Sequence, residues 1–447
     1  MAARIGRSAP PAPTGDAPRG YGRGARLLSI GIASTGLVTF AYFSVASYVL
    51  TDPQYTQISL LWSVMFVIVS VLYRPIEQLL SRTIADRRAR GLEHDHPLRT
   101  PLLLQGAFAT TFLVAALALR RPIEDDLFDG SAALYWILVV GVLAYAASYF
   151  ARGYLAGHQY FGLYGGLVFL EACSRICFAL AVAVGIASGQ TAVALGMAAA
   201  PFVSLVVVPA AFSRRTAPPA AEAARRKPDD LALGRGGRFA VAVFAIMLAE
   251  QTLLNAAVLA VHVTSEDAAA AGFVFNVLLI ARAPLQLFQA IQGSLLPHLA
   301  GLQATSGREE FAKAIRVTVL AIAGFAGAVA VGLLLIGPFV MGLLFDDDRS
   351  LDYGRFGLAL IAVGMGAHLI AGTLNQAALA RDRAGLASAA WLTSAALFVA
   401  WMFAEVIEDP LLRTEVGYAG AAGLLCGLLV AVYRRPSHAR SQVAHHA

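Results

Sequence analysis

The segment 71–91, VLYRPIEQLLSRTIADRRARG, ends one apolar run of the sequence and begins a cluster of arginines. Arg74 and Glu77 lie inside the apolar run, before that cluster. A later apolar run contains a related segment at 280–291, IARAPLQLFQAI, with Arg282 in the corresponding place. Arginines beside a membrane span usually anchor it at the cytosolic surface, whereas charge within a span usually faces the interior of a helix bundle. The arginines of the two segments are therefore either anchors at the membrane surface or parts of a charged site within the membrane.

The composition of the chain indicates an integral membrane protein. Of its 447 residues, 58% are hydrophobic and 14% are charged, whereas a soluble protein carries about 25% charged residues. The mean hydropathy is +0.67. Lipid cannot hydrate charged groups, so a membrane helix needs about 20 consecutive, nearly uncharged residues.

Twelve apolar runs satisfy this requirement and predict an all-α polytopic membrane protein. They lie at about 27–50, 57–80, 99–119, 131–152, 159–187, 190–212, 237–262, 267–297, 314–344, 353–380, 385–406 and 415–433.

A long polar connection divides these runs six and six. We predict a disordered cytosolic tail at 1–26, an N-terminal six-helix lobe at 27–213, a cytosolic linker at 214–236, a C-terminal six-helix lobe at 237–434 and a cytosolic tail at 435–447.

The positions of the basic residues predict the orientation. Most of the 34 Lys and Arg residues lie in segments that are cytosolic if both termini are cytosolic, and few lie in the outer loops. We therefore predict a multi-pass protein of the plasma (inner) membrane with both termini in the cytoplasm. The net charge of +6 then reflects topology, and we expect no nucleic-acid partner.

The sequence contains none of the short motifs that we associate with catalysis. A GxxxxGK[ST] phosphate loop and an HExxH zinc motif are both missing, and no loop is long enough for a Ser/His/Asp site. We therefore expect no enzymatic activity, no catalytic residue, no bound metal and no cofactor.

An internal repeat links the two arginine segments. Arg74 and Pro75 lie in the second span of the first half, and Arg282 and Pro284 lie in the second span of the second half. A duplicated transporter places its substrate site near the middle of the membrane, between the repeats. We therefore predict a transporter built from two parallel repeats.

Arg282 is the deepest of the basic residues in this pattern. It lies about 22 Å from the outer end of its predicted span, at 1.5 Å per residue. Gln286 and Gln289 follow at i+4 and i+7, so the three side chains share one helix face. This stripe predicts either a cavity-facing site or a hydrogen-bonded seam between helices.

Four other polar residues lie within predicted spans. Glu250 lies in the middle of the seventh span, near Asn255; it is a candidate for an ion pair with Arg282, for a buried protonated carboxyl or for a site that binds a coupling proton or sodium ion. Glu171 and Arg175 lie at i and i+4 in the fifth span, which predicts an ion pair within one helix.

Arg74 and Glu77 are open to two interpretations. Both lie near the cytosolic end of the second span, where a long arginine side chain reaches the surface and Glu77 can pair with Arg74 or Ser81. Their depth favours a membrane anchor, while the repeat relation to Arg282 favours a site.

The sequence resembles a known family. The segments RPIEQLLSRTIADRRARG and ARAPLQLFQAIQGSLLPHLAGL, in a six-plus-six arrangement, resemble the polysaccharide-export flippases of the multidrug/oligosaccharidyl-lipid/polysaccharide (MOP) exporter superfamily over about 25–435. The resemblance implies a MATE-like fold and alternating-access transport of a polyprenyl-diphosphate-linked oligosaccharide for polysaccharide export. It makes Arg282 and Arg74 ligands of the diphosphate and Arg175 a third. The first span departs from the pattern, because its membrane part contains no arginine.

The resemblance also implies partners. These are the lipid-linked sugar, the bilayer, and glycosyltransferases or a polymerase of the same pathway.

Two alternative functions stay open. The segment 85–90, ADRRAR, is similar to a loop of major-facilitator transporters, which favours a small-molecule or multidrug-type antiporter. The third alternative is a non-transporting scaffold of a polysaccharide assembly complex, and the charges within the spans argue against it.

Overall fold

The structure is a computed structural model of the chain. It describes residues 19–89, 98–209, 233–265, 267, 269–280, 285, 307–345, 353–381 and 383–435. The regular elements of these ranges are helices. Most of the two predicted tails and of the predicted linker lies outside the described residues.

The helices follow the predicted spans in order. They are α1 Arg19–Val49, α2 Asp52–Ala89, α3 Arg99–Ala118, α4 Ala132–Gly157, α5 Phe161–Ala183, α6 Gly189–Ser204, α7 Leu233–Thr264, α8 Ala270–Ile280, α9 Gly307–Leu344, α10 Arg355–Ala380, α11 Ala384–Ala404 and α12 Pro410–Arg434.

Several helices begin earlier than the predicted apolar runs, and two of these begin outside the predicted lobes. α1 begins at Arg19 and α7 begins at Leu233, inside segments predicted as a disordered tail and a linker. Adding a residue to an existing helix costs little, because nucleation is the unfavourable step. An apolar run therefore marks the part of a helix within the membrane, and not its full length.

Ten of the helices in the described ranges are long and apolar enough to cross a membrane, namely α2–α7 and α9–α12. This finding confirms the predicted all-α, multi-pass architecture. The total of twelve spans and the cytosolic position of the termini stay predictions.

The helices pack mainly within two groups, which we call the N-terminal group (residues 19–209) and the C-terminal group (residues 233–435). In the first, α1 packs on α5 and α2 on α4, with α6 against α4 and α5. In the second, α10 packs on α9 and α12, and α11 packs on α7 and α12. The contact between α2 and α7 joins the groups.

Glycines on α4 place α2 close to it. A Cβ atom at Gly153 would lie 2.8 Å from the backbone oxygen of Glu77, and one at Gly157 would lie 2.7 Å from Ile84. Any larger residue would push the helices apart. The two glycines therefore position the part of α2 that contains Arg74 and Glu77.

Candidate functional site

A cavity of about 440 Å³ lies mainly within the N-terminal group. Its walls come from α1, α2, α4 and α5, and from residues of α7 and α8 in the C-terminal group. Among the described residues, five charged ones line it: Arg74, Glu77, Arg152, Glu171 and Arg175. The sequence predicts four of them as site residues, and the structure brings these four together. Arg152 is the fifth charged residue of the lining, and the sequence analysis does not predict it as a site residue.

Arg175 is a buried cation in the wall of this cavity. Its side chain is 3% exposed, and its guanidinium donates hydrogen bonds to Tyr145 Oη at 2.9 Å and to Thr39 Oγ1 at 3.4 Å. The guanidinium carbon lies 5.2 Å from the ring centre of Trp62. Its Nε atom is buried without a hydrogen-bond partner. Among the described residues, no carboxylate forms an ion pair with Arg175.

Glu171 forms an ion pair with Arg152 instead. The Glu171 carboxylate also accepts hydrogen bonds from Ser148 and, at 3.3 Å, from Ser204. The predicted i, i+4 ion pair between Glu171 and Arg175 is therefore wrong. Arg152, on the adjacent helix α4, already provides the carboxylate with its counter-ion, and Arg175 turns towards α1 and α4.

An aromatic ring also contacts the ion pair between α4 and α5. The guanidinium carbon of Arg152 lies 4.3 Å from the ring centre of Tyr149. Arg152 and Glu171 together are neutral and well bonded, so they add little net charge to the cavity.

Arg74 and Glu77 are half-buried on the cavity wall of α2. Tyr164 Oη donates a hydrogen bond of 2.7 Å to Glu77 Oε1, so the partner of this carboxylate is a tyrosine and not Ser81. Arg74 forms no hydrogen bond or ion pair within the described ranges. It interacts electrostatically with Glu77 and with Glu250 of α7.

Two of the other predicted polar residues, Asn255 and Glu250, lie on α7, which contributes to the wall of the cavity. Asn255 is buried and lines the cavity with Gln251, to whose backbone oxygen it donates a hydrogen bond of 2.9 Å. Glu250 interacts with Arg74. Arg282, Gln286 and Gln289 lie outside the described residues, although Leu285 is described and lines the cavity.

The sequence analysis missed several polar residues of the site. Tyr145, Tyr149 and Arg152 lie at i, i+4 and i+7 on α4, so they form a stripe on one helix face. This stripe is visible in the sequence. Arg152 lies at the end of the predicted span, where an arginine usually anchors the helix at the surface, so its position alone does not indicate a site. In the residues that the structure describes, no cluster of His, Cys, Asp and Glu has the arrangement of a metal site.

Comparisons with known proteins identify the fold. No protein-family model and no curated protein sequence matches the chain. Its structure is similar to the inward-facing conformation of a multidrug resistance MATE family transporter of the MOP superfamily, with 12% identity and a TM-score of 0.66 over 90% of this chain and 93% of that chain.

Two further solved structures have a fold similar to that of this chain. A MOP superfamily transporter from Pyrococcus furiosus, described as having a binding pocket of reverse polarity, has 15% identity and a TM-score of 0.66 over 92% of this chain and 94% of that one. The eukaryotic MATE transporter AtDTX14 has 12% identity and a TM-score of 0.63 over 92% of this chain and 96% of that one. The predicted MATE-like fold is confirmed. The chain is therefore a multi-pass membrane protein whose fold is that of the MATE transporters to which its structure is similar.

Proposed function

We propose that the protein is a secondary-type translocase that moves a polyprenyl-diphosphate-linked oligosaccharide across the plasma membrane by alternating access, for cell-surface polysaccharide export. One observation carries the proposal. Arg175 is buried in the cavity wall with hydroxyl groups and an aromatic ring as partners, and it has no carboxylate counter-ion among the described residues.

A buried cation without an anion is unfavourable. Removing a charge from water costs several kcal/mol, and neutral hydrogen bonds offset only part of that cost. An anionic ligand in the cavity provides the missing charge. A guanidinium is always protonated and binds phosphate oxygens through two parallel N–H bonds, so a phosphate group suits it well.

Arg74, which lines the same cavity, supports the same ligand. It faces the cavity without a hydrogen bond of its own in the described residues, so its N–H donors are available to a ligand. Arg282 is proposed as a third ligand from the repeat and the family resemblance. Glu171 keeps Arg152 neutralised, which leaves Arg175 and Arg74 to hold the diphosphate.

The cavity size fits a head group and not a complete lipid. A volume of about 440 Å³ lies in the range of pockets that bind small molecules, roughly 300–1,000 Å³. A polyprenyl chain has no room there and stays in the bilayer, which is the solvent it prefers. The proposed partners follow from this substrate: enzymes that assemble the lipid-linked sugar supply it, and glycosyltransferases or a polymerase consume it.

A second candidate function is the export of cationic drugs. It is favoured by the carboxylates of Glu77 and Glu171 on the cavity wall and by the multidrug transporter among the similar structures. Both carboxylates already have hydrogen-bond partners, which makes them weaker ligands for a cation. The likeness of 85–90 to a major-facilitator loop has no support in the fold.

The test is binding and transport in proteoliposomes. A fluorescent polyprenyl-diphosphate sugar should bind and change leaflet, and Arg175→Ala should reduce binding at least tenfold, since a hydrogen bond to a charged group contributes about 1.5–3 kcal/mol. Arg120→Ala is the matched control, because Arg120 pairs with Glu124 on the surface.

The outcomes separate the candidates. Competition of a cationic drug, without binding of the lipid diphosphate, would establish drug export. A protein that binds and moves neither compound would fit the non-transporting scaffold. Arg175→Lys should retain part of the binding, because it preserves the charge and loses the paired N–H bonds.

A further inference from the structure

Every side-chain hydrogen bond that joins described residues of the two helix groups lies at one end of the molecule. That end holds the loops between α1 and α2, α3 and α4, and α11 and α12, and the predicted orientation places it outside. A gate at this end rests on the proposed alternating-access transport, and it does not depend on the identity of the substrate.

The first contacts are caps on the end of α9. Ser44 and Tyr48, near the end of α1, donate hydrogen bonds to backbone oxygens in the last turn of α9. Tyr48 Oη lies 2.9 Å from Leu343 O and 3.3 Å from Gly342 O, and Ser44 bonds Leu344 O. The last carbonyls of a helix have no partner within the helix. One helix group therefore satisfies the backbone of the other.

A buried chain of hydrogen bonds lies next to these caps. Tyr55 Oη, on α2, donates to Asn276 Oδ1 on α8. Asn276 Nδ2 donates to Tyr353 Oη at 3.1 Å. Tyr55 and Asn276 are fully buried and Tyr353 is 7% exposed, so water does not reach these groups in this conformation.

Aromatic packing fills the space around the hydrogen bonds. The ring of Phe43 lies 4.6 Å from the ring of Phe275, and the ring of Phe40 lies 5.6 Å from the ring of Phe345, as centroid distances. Each pair joins the N-terminal group to the C-terminal group. Aromatic pairs at such distances contribute to stability beyond the area they bury.

A glycine lets the two groups come this close. A Cβ atom at Gly272, on α8, would lie 2.9 Å from Thr56 Oγ1 and 3.2 Å from the ring of Tyr55. At the rim, a ring nitrogen of His262 lies 3.2 Å from the backbone oxygen of Asp126. The outer end is therefore closed from its buried centre to its edge.

The opposite end of the molecule differs in the contacts between the two helix groups. There the cavity residues Glu77, Ser81, Arg152 and Tyr164 belong to the N-terminal group, and within the described ranges no side-chain hydrogen bond connects them to the C-terminal group. Among the described residues, side-chain hydrogen bonds thus join the two groups at the outer end and not around these four cavity residues.

We propose that Ser44, Tyr48, Tyr55, Gly272 and Asn276 form the outer gate of the transporter. The gate is neutral: in the described residues, its contacts are hydrogen bonds and aromatic pairs, and no ion pair joins the two groups. When it opens, water replaces the donors at the α9 carbonyls, so these bonds are exchanged and not lost. The buried Tyr55–Asn276 bond is the contact whose loss most favours the open state.

Pulsed electron paramagnetic resonance measures the gate directly. Nitroxide labels at Asp125→Cys and Glu408→Cys report the separation of the groups at the outer end, and labels at Gly162→Cys and Gly385→Cys report it at the inner end; all four positions are exposed. The background is the full chain with its three cysteines, Cys173, Cys177 and Cys426, replaced by serine.

Tyr55→Phe removes the donor and preserves the ring. We expect the ratio of outer-open to outer-closed molecules to rise about fivefold, the effect of one hydrogen bond of about average strength, with a matching decrease in the inner separation. Tyr135→Phe is the control, because Tyr135 is equally buried and donates to Ala116 O within the N-terminal group.

An unchanged distance distribution in Tyr55→Phe would overturn the proposal, as would an equal shift in Tyr135→Phe. If Tyr55→Phe does not fold, Ser44→Ala and Tyr48→Phe test the caps on α9, and each should raise the outer-open fraction. No shift in either variant would overturn the proposal as well. Raising the salt concentration should leave the wild-type ratio unchanged, and a large change would contradict the neutral gate.

Discussion

Arg152 on α4 and Glu171 on α5 form an ion pair, and this pairing leaves Arg175, one helical turn beyond Glu171, without a carboxylate partner among the described residues. The two arginines reach the same cavity and have different electrostatic roles. Arg152 is neutralised by its partner, whereas the charge of Arg175 is available to a ligand. This difference underlies the proposed anionic substrate and the first two predictions.

Glu171→Gln should expose the charge of Arg152 to the cavity. Breaking a buried ion pair by removing one partner costs about 3–5 kcal/mol, so we expect a clear decrease in melting temperature. Added pyrophosphate should bind more tightly than to the wild type and restore part of the stability. Thermal unfolding with and without pyrophosphate measures both effects, and Glu124→Gln, at a surface ion pair, is the control. An unchanged melting temperature would contradict the prediction.

Tyr145→Phe should weaken anion binding without removing any charge. Tyr145 Oη accepts a hydrogen bond from Arg175 and helps to orient its guanidinium. We expect a loss of affinity for the lipid diphosphate of roughly threefold to tenfold, since a hydrogen bond to a charged group contributes about 1.5–3 kcal/mol and the freed N–H recovers part of it at the ligand. A binding titration measures the change, and Tyr135→Phe is the control. A variant that binds like the wild type would show that the hydroxyl has no orienting role.

Glu250→Gln tests whether a coupling ion binds at this carboxylate. Glu250 interacts with Arg74 across the contact between α7 and α2, so its charge affects both helix groups. If Glu250 binds a proton or a sodium ion, the variant should transport without dependence on pH or sodium. Transport in proteoliposomes with an imposed gradient measures this dependence. A pH and sodium profile identical to that of the wild type would rule out the coupling role.

Gly272→Ala should open the outer gate. The added methyl group would lie 2.9 Å from Thr56 Oγ1, a distance that forces α8 and α2 apart. We expect a larger outer separation between labels at positions 125 and 408. Gly427→Ala is the matched control, because nothing lies within 4 Å of a Cβ atom at Gly427. Equal label distances in both variants would argue against a close approach at Gly272.

Gly153→Ala should destabilise the wall of the cavity. Its methyl group would lie 2.8 Å from the backbone oxygen of Glu77, and overpacking of this kind costs about 1–3 kcal/mol. Unfolding measurements should show this loss, together with weaker ligand binding, because α2 moves with Arg74 and Glu77. Gly166→Ala, at an open position on α5, should have little effect. Equal stability of the two variants would refute the packing argument.

The general architecture could be predicted from the sequence because the membrane imposes simple rules. Lipid requires long apolar helices, and each of the twelve named helices overlaps one predicted apolar run, although several extend beyond it. Single charges within those runs are unfavourable against lipid, which is why Arg74, Glu77, Glu171 and Arg175 could be recognised as candidates. The structure places all four in the lining of one cavity, and their role in binding stays a prediction.

The pairing of these charges could not be predicted from spacing. Glu171 and Arg175 have the i, i+4 spacing of an ion pair, yet Arg152 on a neighbouring helix is the partner that Glu171 binds. Such a choice depends on which helix faces are in contact. The same applies to the outer gate, where Tyr55 and Asn276 are far apart in the chain.

The sequence by itself determined a helical membrane protein with charged residues buried in its spans, because hydropathy is local and the solvent is known. Only the tertiary structure decided which of those charges neutralise each other and which line the cavity without an ion pair among the described residues. Contacts between helices depend on close approach at glycines and on the rotation of each helix, and neither is encoded in the hydropathy of one segment. Arg74 and Arg175 line the cavity for this reason, although their segments taken separately resemble an anchor and an internal ion pair.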